Sequence, residues 1–165
     1  MEDLGGPLSR EDSDAKFDRY VAAYQSHHYG RWLVETISGM FLGYCGVMPA
    51  RDDHPIGVHD EIGWRLVHSA WGNGYATEAA RASLTDVFRR VGLKEVLAYT
   101  APDNLRSQSV MRRLGLRRDT LRDFAVRDSR LGTWQGFVWA AEFDWLTSAE
   151  TISKPVSGDS KDGAA

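Results

Sequence analysis

Apolar residues recur at steps of three and four near the start of the chain and then change to alternation. Ser9 followed by Asp12 predicts a helix start, and Phe17, Tyr20, Val21 and Tyr24 form one stripe that the helix is expected to bury. His27-His28-Tyr29-Gly30 ends it. Arg31–Ile37 and Met40–Val47 read as two strands joined by a turn at Ser38-Gly39, followed by a proline-bearing loop over Met48–Pro55. Ile56–Asp60 leads into Glu61–His68, a strand with Ile62, Trp64 and Leu66 on one side. A helix beginning near Thr77 and running to about Arg90 has Ala80, Leu84, Val87, Phe88 and Val91 on its core face, and Gly92 stops it. Lys94–Thr100 is the next strand. Asn104 then caps a short helix with Val110, Met111 and Leu114 inward, closed by Gly115. Leu116–Val126 and Trp134–Trp145 read as a final antiparallel pair joined across Asp128–Gly132. This order predicts a mixed α/β (α+β) sheet flanked by helices, in one domain over residues 9–146. Residues 1–8 read as a flexible start and 147–165 as a disordered tail.

The chemistry concentrates where the central strand gives way to the long helix, at Trp71-Gly72-Asn73-Gly74-Tyr75-Ala76-Thr77. A strand, a glycine turn and a helix in that order gather several backbone N–H groups and the positive end of a helix dipole at one point. Such a point binds phosphate. Gly72 and Gly74 matter because a side chain there would hold a ligand's oxygens away from the backbone donors. A tight turn without a ligand fits the same two glycines. There is no Gly-Lys-Ser/Thr ending, and Thr77 stands where a dinucleotide fingerprint has its third glycine, so neither of those phosphate loops is present.

The stretch Ser69-Ala70-Trp71-Gly72-Asn73-Gly74-Tyr75-Ala76-Thr77-Glu78-Ala79 resembles the pyrophosphate loop of the Gcn5-related N-acetyltransferase (GNAT) superfamily, in its RimJ/RimL-type ribosomal-protein acetyltransferase branch. A second block, Thr100 to Ser107 followed by Val110 to Leu116, is similar to that branch's Asn-x-x-Ser segment and its helix. The resemblance spans about Pro7 to Trp145. Ser69 departs from the Arg or Gln that many GNATs place three before the first loop glycine, a difference often shared by RimJ/RimL-type chains. The resemblance implies a mostly antiparallel central sheet that is short at its N-terminus, because family members usually begin with a strand and helix upstream of the Ser9 segment. An uncovered edge at Arg31–Ile37 is then open to pairing with another chain, which predicts a homodimer or poor solubility.

The same resemblance implies acetyl transfer from acetyl-CoA to a primary amine by direct attack in a ternary complex. Trp71, Gly72, Asn73, Gly74, Tyr75, Ala76 and Thr77 would hold the cofactor's diphosphate, and backbone N–H groups at Leu66 and Val67 its thioester carbonyl. Asn104 would reach the pantetheine arm and Ser107 would stabilise the departing thiolate; the first also reads as a helix cap and the second as a polar residue of a first helical turn. Glu61 is the candidate base, acting through water, and also reads as a surface glutamate paired with a neighbouring arginine. Asp119 and Asp123 are further candidates. A module that binds acetyl-CoA without turning it over is the alternative. A nucleotide-binding regulatory domain is disfavoured by the loop spacing.

Composition narrows the setting. The 165 residues, 42% hydrophobic and 26% charged with net charge −3, are those of an ordinary globular domain without a basic surface for nucleic acid. No apolar run is long enough to cross a membrane, and the lone Cys45 suits a reducing compartment, so the cytoplasm is expected. Cys45 reads as a small core residue, and the five histidines lack metal-ligand spacing, so no metal is expected. The expected partners are acetyl-CoA and an amine acceptor, either a protein N-terminus or a small molecule.

Overall fold

The computed structural model describes residues 8–128 and 132–147. The expected flexible start and disordered tail lie outside the described residues except for Leu8 and Thr147. Helix α1 (Arg10–His27) begins at Ser9, whose Oγ accepts the Asp12 N–H at 3.0 Å, as the capping pattern requires. Strands β1 (Arg31–Glu35), β2 (Phe41–Pro49) and β3 (Asp60–Leu66) follow. A 3-10 turn over His68–Ala70 then leads into α2 (Tyr75–Asp86). After β4 (Glu95–Thr100) and α3 (Leu105–Arg113), the long strands β5 (Arg117–Asp128) and β6 (Gly132–Glu142) complete one six-stranded sheet in the order β1-β2-β3-β4-β6-β5.

Every neighbouring pair in that sheet is antiparallel except β3 and β4, which run parallel. Their ladder is a single bridge, Glu61 opposite Leu97. Beyond it the two strands part. One face of the sheet is covered by α2 and α3, with Ala80, Leu84, Phe88, Val110, Met111 and Leu114 packed on Cys45, Val47, Ile62, Val96, Ala98 and Trp139. Full burial of an aliphatic or aromatic side chain contributes about 1.5–3 kcal/mol, so this layer supplies much of the fold's stability.

Two expectations need correcting. The α1 stripe is not buried: Phe17, Val21 and Tyr24 remain exposed and Tyr20 is half-buried, and the helix meets the sheet through ring contacts of Tyr20 with Tyr44 and Tyr24 with Trp32. The long helix is not α-helical to Arg90. It closes as a π turn over Val87–Val91, in which the Gly92 and Leu93 amides both reach the Val87 carbonyl. That wider turn keeps Val87 and Phe88 in the core.

Cys45 is 1% exposed, and burial pushes its thiol up to about 11. The native protein should therefore leave an aromatic disulfide reagent unreacted at pH 8, while denaturant should release one reactive thiol per chain. Rapid labelling of folded protein would contradict this placement.

Candidate functional site

At the end of β3 the chain makes the turn that the glycines announced. Gly72 and Gly74 have φ of 80° and 83°, in the left-handed region where a side chain is strained, and Gly74 is the N-cap of α2. The first helical bonds run from the Thr77 and Glu78 amides to the Gly74 carbonyl. The Tyr75 and Ala76 amides precede them and point out of the helix end. Trp71 pins the loop to the strand by donating its indole N–H to the Leu66 carbonyl at 3.0 Å, and Asn73 braces it by donating to the Trp71 carbonyl at 3.1 Å.

The loop opens on a cleft of about 360 Å³ between β3, α2 and α3. It brings together Leu66, Trp71, Gly72, Gly74, Tyr75, Ala76, Thr77, Asn104 and Ser107. Asn73 instead lines a more open cleft behind the loop with Glu78, Arg81, Asp86 and Arg113. Three arginines that the motif reading passed over, Arg65, Arg106 and Arg113, line the first cleft, and no carboxylate does. Arg106 lies 4.6 Å above the Trp71 ring. Arg106 and Arg113 are two helical turns apart on α3, so their seven-residue spacing was a signal that could have found them. The Thr77 hydroxyl is buried with no hydrogen-bond partner, an arrangement that an anion's oxygen would satisfy. Loop amides, an unsatisfied hydroxyl and an arginine lining without a carboxylate all fit a diphosphate. A larger groove of about 1330 Å³ between β1, β2 and α2 has Glu35, Glu78 and Asp86 in its wall against one arginine, Arg90, which Asp86 already holds, and suits a polyanion poorly.

The Val67 assignment fails on register. Its N–H donates to the Leu42 carbonyl of β2 at 2.9 Å and so faces away from β4. Strand alternation turns the neighbouring Leu66 amide to the other edge, where β3 has parted from β4. Asn104 does cap α3, its Oδ1 accepting the Ser107 N–H at 3.1 Å. Its amide nitrogen is not used by that bond.

Glu61 does not line the cleft. It sits on the opposite face of the sheet, where its Oε1 accepts from Arg31 Nη2 at 2.8 Å; the two side chains are 15% and 7% exposed. The same guanidinium donates to the Gly46 and Gly63 carbonyls. Gly63 makes the overlay possible, since a Cβ there would stand 2.8 Å from Arg31. Breaking a buried pair by removing one partner costs about 3–5 kcal/mol, so this contact belongs to the fold. The other proposed carboxylates are engaged elsewhere. Arg122 holds Asp119, and Arg118 holds Asp123, below the ordinary carboxylate range, which makes both poor proton acceptors.

Among the described residues no group of three His, Cys, Asp or Glu side chains is placed to hold a metal ion, and no helix is long and apolar enough to cross a membrane.

A family model described as an acetyltransferase (GNAT) domain matches residues 1–117. An uncharacterised protein of Bacillus subtilis, YkkB, is 36% identical over 86 residues, covering 52% of this chain and 49% of that protein. The chain thus spans about half the length of that relative. An acetyltransferase structure from Agrobacterium tumefaciens superposes with a TM-score of 0.69 at 25% identity, covering 86% of this chain and 77% of the other. A ribosomal-protein-S5-alanine acetyltransferase from Vibrio fischeri gives 0.66 at 15% identity, covering 84% and 77%, and so shares the fold.

Gly74→Val should abolish stabilisation by acetyl-CoA. Acetyl-CoA at about 100 times its dissociation constant should add roughly 2.7 kcal/mol to the native protein. Thermal denaturation with and without ligand reads this directly. A variant that still folds and keeps the full shift would remove the loop from the site.

Proposed function

The chain belongs to the acetyltransferase (GNAT) domain family, and we propose that it transfers the acetyl group of acetyl-CoA to a primary amine held with it in a ternary complex. The observation that carries this reading is the meeting of an arginine-lined phosphate cleft with the gap between β3 and β4. Acetyl-CoA supplies the acetyl group already activated as a thioester. The loop amides, Thr77 and the arginines fix the diphosphate. Holding reactants in place in this way accounts for roughly 7–11 kcal/mol of a barrier in the best intramolecular cases.

The Leu66 amide, free of β2, donates to the carbonyl oxygen as that oxygen gains charge; comparable donors are worth about 2.7–4 kcal/mol. The Asn104 amide nitrogen holds the pantetheine arm. The Ser107 hydroxyl donates a hydrogen bond to the departing thiolate while water delivers the proton. A free amine with a pKa of about 10 is mostly protonated at neutral pH, so the acceptor must lose a proton before it attacks. Glu61 takes that proton through water on Oε2, the oxygen Arg31 does not hold. The C–N bond then forms as the C–S bond breaks.

The exposed edge of β1 supports a second proposal, that two copies pair there. Trp32 and Leu33 remain exposed on this strand, which pairs with β2 on one side and has no neighbour on the other among the described residues, beside the larger groove.

An amine panel with acetyl-CoA tests the main reading by thiol release. At least one amine should release thiol well above hydrolysis. Ser107→Ala should keep the thermal shift and slow turnover about tenfold. Glu61→Gln, assayed where it is folded, should lower kcat about 10²-fold with the acetyl-CoA KM unchanged. No release from any amine would refute the transferase reading. For the second proposal, light scattering should show a dimer that Leu33→Lys dissociates; a monomer across the micromolar range would refute it.

A further inference from the structure

The face of the sheet opposite α2 and α3 carries an aromatic cluster that the acetyl-transfer roles above leave unused. The His54 ring stands 4.7 Å from His59, 4.9 Å from Tyr99 and 4.7 Å from Phe124. Phe124 in turn stands 5.4 Å from Tyr99 and 5.5 Å from Trp134. All five rings are only partly buried, so the cluster is a wall with one side open. Its construction is specific. Phe124 lies opposite Gly136 of β6, and a Cβ at that glycine would come within 2.5 Å of the ring, so the ring rests across the strand because glycine leaves room. His54 is fixed by its own loop, with Nδ1 accepting the Ile56 N–H at 3.3 Å and its carbonyl accepting the Gly57 N–H at 2.8 Å.

The wall stands where an acceptor would enter. Glu61 and Leu97 form the bridge between β3 and β4, and Tyr99 lies two residues past Leu97 on the same face. From there the strands separate toward Leu66. An amine approaching the Leu66 amide from the Glu61 side passes these rings.

Charge narrows what it passes as. Glu61 on this face is bound by Arg31, Glu95 and Asp119 by Arg122, and Asp123 by Arg118. On the adjoining loop, Asp53 is bound by Arg51. Burial, and then the neighbouring His59, hold the His54 imidazole below its ordinary value, so that ring is neutral at neutral pH. A polycation would find each of these carboxylates already paired with an arginine, and on that loop only the exposed Asp52 outside such a pair. A flat ring would find π faces and ring edges in the offset and T-shaped arrangements that aromatic pairs prefer.

We propose that this wall is the acceptor subsite and that it takes a compact amine carrying an aromatic ring. The proposal rests on the acetyltransferase reading and names its substrate class. The amine nitrogen bonds to the acetyl carbon as the C–S bond breaks, the amine proton leaves through water to Glu61, and the products are an N-acetylated arylalkylamine and coenzyme A.

The test uses the full chain with acetyl-CoA and 2-phenylethylamine, n-butylamine, spermidine and a short peptide with a free N-terminus. We expect kcat/KM for 2-phenylethylamine at least about tenfold above each of the others, the scale on which one well-fitted apolar contact discriminates. Trp134→Ala and Gly136→Ala should each raise its KM several-fold and leave the acetyl-CoA thermal shift unchanged. Equal or better turnover of n-butylamine, spermidine or the peptide would overturn the proposal. If no amine releases thiol, the transferase reading fails by itself, and calorimetry of the coenzyme A-loaded protein then judges the wall. Binding of 2-phenylethylamine that Trp134→Ala weakens supports it, and absence of binding overturns it.

Discussion

The site depends on how β3 ends. This strand is hydrogen-bonded to β2 along its length, bridged to β4 only at Glu61 and Leu97 among the described residues, and then turned through two left-handed glycines into α2. The first constraint leaves one edge of β3 with unspent backbone donors. The second aims the start of a helix at the same place. A parallel pair held by a longer ladder would close the gap, and a helix beginning without the glycines would turn its amides elsewhere. Strand and loop are coupled by the Trp71 indole, whose bond to the Leu66 carbonyl fixes the distance between the two groups of donors.

A second contact works from the opposite face. Arg31 lies across β2 and β3, bonded to two glycine carbonyls and to Glu61. It ties the edge strand to the centre of the sheet and orients the carboxylate beside the gap. The glycine beneath it and the near-complete burial of the guanidinium show how closely this arrangement is fitted. The contact serves stability, and under the proposed reaction it also leaves Glu61 Oε2, which Arg31 does not hold, to take the proton. The partial burial of the pair also keeps its attraction from being screened as a surface pair's would be.

Much of this was legible in the chain itself. Periodicity placed the strands and helices because each element packs one face, and two glycines before a run of helix formers marked the turn into α2 because few residues can make it. What escaped depends on distance or register. Arg31 and Glu61 are thirty residues apart, and nothing local pairs them. Whether Leu66 or Val67 offers its amide to the gap depends on which edge each faces, and that follows from pairing with β2 alone. The α1 stripe misled for a different reason: its period records a face able to be buried, whereas burial needs a layer close enough to cover it. The aromatic wall assembles from a loop and three strands, so no window of sequence contains it.

The account stands on main-chain amides of the Gly74–Thr77 turn holding a diphosphate. The most direct measurement is an amide-resolved NMR titration of ¹⁵N-labelled protein with coenzyme A. The largest shifts should fall on Gly74, Tyr75, Ala76 and Thr77, accompanied by Leu66, with Val67 moving little. Saturation binding that leaves those amides unmoved, or shifts confined to the groove beside β1, would contradict it.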